Sequence, residues 1–146
     1  MSDEEIKIHR GLNNVYFDRT KTTYINGKEG VLEYRGYNIH DLAEKSSFEE
    51  VSYLLLYGKL PTKNELDAFN SSLKESREIP SQVIDIIKSI KDSHPMDVLR
   101  TAVSALSAFD EEASDKSYDA TMRKGIRLTS QVPTIVMAHN SIRNGK

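Results

Sequence analysis

Two hydrophobic periods divide this chain. Between Val15 and Tyr37 the β-prone residues come in short runs, Thr22-Thr23-Tyr24-Ile25 and Val31-Leu32-Glu33-Tyr34, with Asn26-Gly27 between them. Asn-Gly at that place predicts a hairpin closed by a type I′ turn, because both central residues of such a turn need positive φ. Gly30 is placed to add a bulge, and Gly36 to turn the chain out of the second strand. Two short strands are marginal in water, so this hairpin must rest on another element. Residues 1–14 read as a loosely docked lead-in, and residues 15–146 as one structural unit.

After Asn38 the period becomes helical. Asn38 is an N-cap for a short helix through Leu42 and Ala43. Ser47-Phe48-Glu49-Glu50 and Thr62-Lys63-Asn64-Glu65 are capping boxes. The first opens a helix expected to put Phe48, Val51, Leu54 and Leu55 on one side and to stop at Gly58. The second carries Leu66, Phe69 and Leu73 at helical spacing. Pro80-Ser81 starts a helix with an apolar stripe of Val83, Ile86, Ile87 and Ile90, and His94-Pro95 starts another. Residues 96–109 are apolar around most of the helix circumference, as in helices central to a core or an interface. Residues 116–143 form a long last helix in which Pro133 removes one hydrogen bond and is expected to kink the axis. The fold class is therefore mainly α, with a small N-terminal β-hairpin.

Composition changes this picture little. Of the 146 residues 38% are hydrophobic and 29% charged, which suits a globular domain with its own core. A net charge of −2 offers no electrostatic case for nucleic acid or an anionic membrane. No apolar run reaches the roughly 20 residues that span a bilayer. Without cysteine, disulfides, thiolate metal sites and a cysteine nucleophile are excluded. Met1 to Lys7 lacks the apolar core of a signal peptide, so a cytoplasmic location is expected.

Candidate chemistry is sparse. His9, His40, His94 and His139 show no metal-ligand spacing, and no metal site is expected. His94, at a helix start, is in a position to touch a ligand, but a capping or packing role is the favoured reading. His139 is expected at the surface. Glu49-Glu50 and Glu111-Glu112 are explained by solvation and helix dipoles. Arg123, Lys124, Arg127 and Arg143 read as a solvated basic face, with a phosphate-bearing ligand as the alternative. No Gly-rich phosphate loop is present, and from the residues alone no active site emerges.

Local strings carry the reading further. Tyr34-Arg35-Gly36-Tyr37-Asn38-Ile39-His40-Asp41-Leu42 resembles the Tyr-Arg-Gly-Tyr stretch of citrate synthases. Phe48-Glu49-Glu50-Val51 and Leu54-Leu55-Leu56-Tyr57-Gly58-Lys59-Leu60-Pro61-Thr62 follow in the same order, as does the stretch from Ser93-His94-Pro95-Met96 to Leu106. Together these strings resemble the amino-terminal part of the compact citrate and 2-methylcitrate synthases of archaea and bacteria, from Gly11 onward.

The resemblance implies a largely helical enzyme of two domains, of which this chain matches part of the large one, working as a homodimer. It implies condensation of acetyl-CoA with oxaloacetate and water to citrate and CoA, an acyltransfer of the tricarboxylic acid cycle; 2-methylcitrate synthases prefer propionyl-CoA. Acetyl-CoA is then a substrate, and no bound cofactor is implied. Two histidines and an aspartate carry the family's acid–base chemistry. They lie in a His-Gly-Gly segment, a Gly-Phe-Gly-His segment and a downstream stretch, none of which occurs between Met1 and Lys146. No catalytic residue is therefore carried over, and the chain alone is expected to be inactive. Lys116 falls near where some relatives place a basic contact to CoA of the partner subunit. Helices near 96–109 and 116–143 are implied in the dimer interface. Deprived of those partners, each large apolar side chain left in water forgoes about 1.5–3 kcal/mol, so the isolated chain is expected to fold poorly or self-associate. A non-catalytic helical module for dimerisation or regulation is the reading from a different class.

Overall fold

The computed structural model describes residues 8–12, 15, 16 and 18–146. The start of the expected lead-in, residues 1–7, lies outside the described residues, as do 13, 14 and 17. Among those described, the chain forms a three-stranded antiparallel sheet and six α-helices, so the mainly α class holds.

The sheet orders β1 (Thr23–Asn26), β2 (Val31–Tyr34) and β3 (Tyr37–Asn38) consecutively. Its turn chemistry differs from the expectation. Asn26 pairs with Val31, which leaves a four-residue connection in which Gly30 (φ 68°) takes the left-handed conformation and Gly27 does not. The tight turn with two positive φ angles falls instead at Arg35 (φ 51°) and Gly36 (φ 85°), between the paired Tyr34 and Tyr37. Asn-Gly is a sound local signal, but the tight turn further along closes on a third strand that the short Tyr37-Asn38 run does not announce. The sheet rests on α1 (Ile39–Lys45). Arg35 anchors it further, its Nη2 donating to the Leu55 carbonyl at 3.0 Å, in the last turn of the next helix.

Helix starts obey local chemistry. The Asn38 side chain accepts from the His40 amide at 2.9 Å. Both capping boxes form, at Ser47/Glu50 for α2 (Phe48–Tyr57) and Thr62/Glu65 for α3 (Lys63–Glu75). Gly58 ends α2 at φ 81°. Pro80 precedes α4 (Ser81–Ser89), and His94 caps α5 (Pro95–Leu106), its Nδ1 accepting from the Met96 amide at 3.2 Å. α5 stops at Leu106 and tightens into a 3₁₀ turn over Ser107–Phe109. The last helix, α6 (Tyr118–Arg143), begins two residues later than expected because Ser117 is its cap.

Two buried clusters hold the helices together. Val83 and Ile87 of α4, Val98, Ala102 and Leu106 of α5 and Ile135 of α6 form one. Tyr53 of α2 with Phe69 and Leu73 of α3 form the other, flanked by Leu56 and Ile126. At 26 residues, α6 is about 39 Å long and reaches both clusters. Its helical assignment runs unbroken through Pro133. Gly125 in this helix meets Leu56, whose Cδ2 would stand 3.3 Å from a Cβ at that position. The close approach of α2 explains a residue that otherwise weakens a helix.

Two faces differ from the pattern reading. In α2 the buried residues are Tyr53 and Leu54, and Phe48 is 63% exposed, because the helix docks against α3 through its aromatic side. α5 buries only the stripe Val98–Ala102–Leu106, with Leu99, Val103 and Ala105 half-buried and Met96 outside.

Candidate functional site

The densest polar constellation lies in the connection between α5 and α6, residues 110–117. Its acids precede α6, and the cation Arg127 follows Arg123 and Lys124 of that helix at spacings of four and three residues. Arg127 Nη2 donates to both carboxylate oxygens of Asp110, at 2.9 and 2.8 Å, and Nη1 donates to Glu112 Oε2 at 2.8 Å. Arg123 Nε donates to the other Glu112 oxygen at 2.9 Å, with its Nη2 also in contact. Lys124 Nζ donates to the carbonyls of Glu112, at 3.1 Å, and Asp115. The hydrogen bonds from Arg123 and then Arg127 pull the Glu112 carboxyl down to about 2. Arg127 likewise holds Asp110 below its ordinary value. Burial disfavours the Arg127 charge, yet its bonds to Asp110 and Glu112 outweigh this and raise its pKa.

This corrects two expectations. Arg123, Lys124 and Arg127 are not simply a solvated face, since Lys124 and Arg127 are half-buried and even the exposed Arg123 is ion-paired, and Glu112 is not merely a solvated loop acid. The three cations spend their donors clamping the connection onto α6, while Arg143 lies at the far end of the helix, about 24 Å along its axis from Arg127. The signal is present as acids at 110, 112 and 115 directly upstream of cations at 123, 124 and 127. Beside the clamp opens a cleft of about 530 Å³, with an apolar floor of Val103, Leu106, Phe109 and Leu128. A second groove of about 420 Å³ runs between Phe48, Leu73, Arg77, Pro133 and Met137.

The other candidate residues are dispersed. Lys116 is exposed in the connection before α6 and makes no ion pair among those described. His94 is the helix cap, as favoured. His139 is buried and not at the surface: its Nε2 lies 2.9 Å from the carbonyl of Lys91, in the turn just past α4. It stands four residues after Ile135 and three before Ile142 on the stripe that faces α4 and α5, a spacing visible in the sequence. No group of three or more histidine or acidic side chains suited to a metal ion occurs among the described residues. No helix there is long and apolar enough to cross a membrane.

The outer side of α6 carries apolar residues that the other described residues cover only in part. Leu128 and Val136 are exposed, Val132 lies half-buried between them at four-residue spacing, and Met137 stands alongside.

Comparison with known proteins gives concordant results. A family profile described as "Citrate synthase, C-terminal domain" matches residues 11–146. The citrate synthase of Deinococcus radiodurans is 44% identical over 140 residues, covering 95% of this chain and 37% of that protein. 2-Methylcitrate synthase 1 of Corynebacterium glutamicum is 39% identical over 147 residues, covering 100% and 38%. The crystal structure of citrate synthase from Pyrobaculum aerophilum superposes with a TM-score of 0.89 at 37% identity, covering 94% of this chain and 37% of that one. The chain thus spans little more than a third of the length of the relatives it matches.

Proposed function

The chain belongs to the citrate synthase family, and from that premise we propose that it is the scaffold portion of a citrate synthase, which condenses acetyl-CoA with oxaloacetate to citrate and CoA. The observation that carries this reading is the agreement of sequence and backbone over nearly the whole chain, at 37% identity and a TM-score of 0.89. The condensation needs a base for the thioester methyl group and an acid for the ketone of oxaloacetate. His94 spends Nδ1 on a helix cap and His139 is engaged with a backbone carbonyl, which supports giving neither that work. The proton-transfer groups come, in this reading, from polypeptide equivalent to the rest of a relative's length. This chain contributes α5 and α6 to a homodimer interface, through the outer row of Leu128, Val132, Val136 and Met137. Lys116 supplies a basic contact to CoA held by the partner, and its exposure supports that role. The setting is the tricarboxylic acid cycle in the cytoplasm.

The test is CoA release from acetyl-CoA and oxaloacetate. The 146-residue chain alone should release none, whereas the chain joined to the remaining part of the Deinococcus relative should be active. Activity of the isolated chain would overturn the assignment. In the joined enzyme Lys116→Ala should raise KM for acetyl-CoA about two- to fivefold with kcat little changed, the size of one exposed charge contact. The Corynebacterium relative favours 2-methylcitrate synthesis as the second reading. Comparing propionyl-CoA with acetyl-CoA turnover in the joined enzyme separates the two. For the interface, sedimentation should find the chain self-associated; a monodisperse, cooperatively melting monomer would remove it.

A further inference from the structure

We propose that Asn26-Gly27 is a self-modification site, where the Gly27 amide nitrogen attacks the Asn26 carboxamide and converts it through a succinimide to aspartate and isoaspartate. The nucleophile is free. Gly27 lies just outside β1, its N–H makes no hydrogen bond among the described residues, and nothing stands within 4 Å of where its Cβ would be. The electrophile is prepared. Asn26 Oδ1 accepts from the amides of Lys28 at 3.2 Å and, more weakly, Glu29 at 3.4 Å. Negative charge develops on this oxygen in the tetrahedral adduct, and donors already aimed at it stabilise that charge. Asn26 Nδ2 donates to Glu29 Oε2 at 2.8 Å, which fixes the carboxamide with Oδ1 toward the loop amides.

The step balances without an oxidant. A solvent base takes the Gly27 N–H proton, the N–Cγ bond forms, the Cγ–Nδ2 bond breaks, and the nitrogen leaves as ammonia after taking a proton from water. Water then opens the imide. Cleavage at Cγ gives aspartate, and cleavage at the α-carbonyl gives isoaspartate, whose backbone is longer by one carbon. Aspartate puts a carboxylate against Glu29, and isoaspartate lengthens the chain at the Asn26–Val31 pair. Both loosen the closed end of the sheet.

A second Asn-Gly pair serves as an internal control. Gly145 donates its N–H to the Ile142 carbonyl at 3.2 Å, and Asn144 Nδ2 donates to the Asn140 carbonyl at 2.7 Å. There the nucleophile is occupied, and no amide among the described residues is bonded to Oδ1. The full chain, incubated in mildly alkaline buffer with and without urea, is mapped by peptide mass spectrometry, each event adding one mass unit. In buffer Asn26 should convert about tenfold faster than Asn144, with the ratio near one in urea, since one hydrogen bond on the attacking amide is worth about that factor. The same ratio in both media, or faster conversion at Asn144, overturns the proposal. Gly27→Ala should slow conversion at Asn26 and leave Asn144 unchanged; an unchanged Asn26 rate would count equally against it.

Discussion

Ile135→Ala measures how firmly α6 is held by its inner stripe. Ile135 is 0% exposed and packs among Val83, Ile87, Val98, Ala102 and Leu106. The substitution removes about three methylene equivalents, which at about 0.8 kcal/mol each is roughly 2.4 kcal/mol of transfer free energy. The neighbours sit on two other helices and can close the gap only in part, so the cavity brings the total to about 3–4 kcal/mol. Val136, the next residue, faces outward and is 47% exposed. Val136→Ala removes groups already half in water and should cost roughly 0.8 kcal/mol or less. Equilibrium urea unfolding by far-UV circular dichroism, at one fixed protomer concentration dilute enough that chains do not associate through the outer row of α6, compares them. With a slope of roughly 2 kcal/mol per molar urea, Ile135→Ala lowers the midpoint by about 1.5–2 M and Val136→Ala by under about 0.5 M. Equal shifts, or a larger one for Val136→Ala, would refute this assignment of the inner and outer faces of α6.

Three further outcomes follow from the same geometry. Glu112 has a folded-state pKa of about 2 against an ordinary 4.5, so the unfolded chain binds more protons as pH falls; its contribution is full above its ordinary pKa and is lost toward about pH 2. Glu112→Gln should therefore flatten the acid limb of the stability–pH curve and speed amide exchange in residues 110–117, and an unchanged acid limb would contradict the clamp. Gly36→Ala, at φ 85°, should cost about 1–2 kcal/mol in thermal unfolding, whereas Gly27→Ala should stay within about 0.5 kcal/mol; the reverse order would restore the tight turn to Asn26-Gly27. His139→Ala strands the Lys91 carbonyl and opens a small void, for about 2–3 kcal/mol, seen as a melting temperature lower by about 4–12 °C.

Features set within a few residues are legible in the chain itself. Capping boxes at Ser47 and Thr62, the stop at Gly58 and the proline at the start of α5 all form as their spacing predicts, because each is satisfied by atoms within one helical turn. The candidate site is less legible. Glu112 and Arg127 are far enough apart in sequence that their pairing depends on how the chain turns between α5 and α6, and local charge patterning shows only that both exist. Phe48 shows the same limit: its helical spacing suits a buried stripe, but Phe69 of α3 meets Tyr53 and Tyr57 on the other side of α2.

The order of residues alone is enough for the mainly α class, the placing of the helices along the chain and, through its ordered strings, the family. Packing between elements settles the rest: the tight turn lies at Arg35-Gly36, His139 belongs to the core, and three cations of α6 are spent on holding the connection before it. The physical reason is range. Caps and periodicity are satisfied by neighbours in the chain, whereas burial and ion pairing depend on what a different helix brings to the same place.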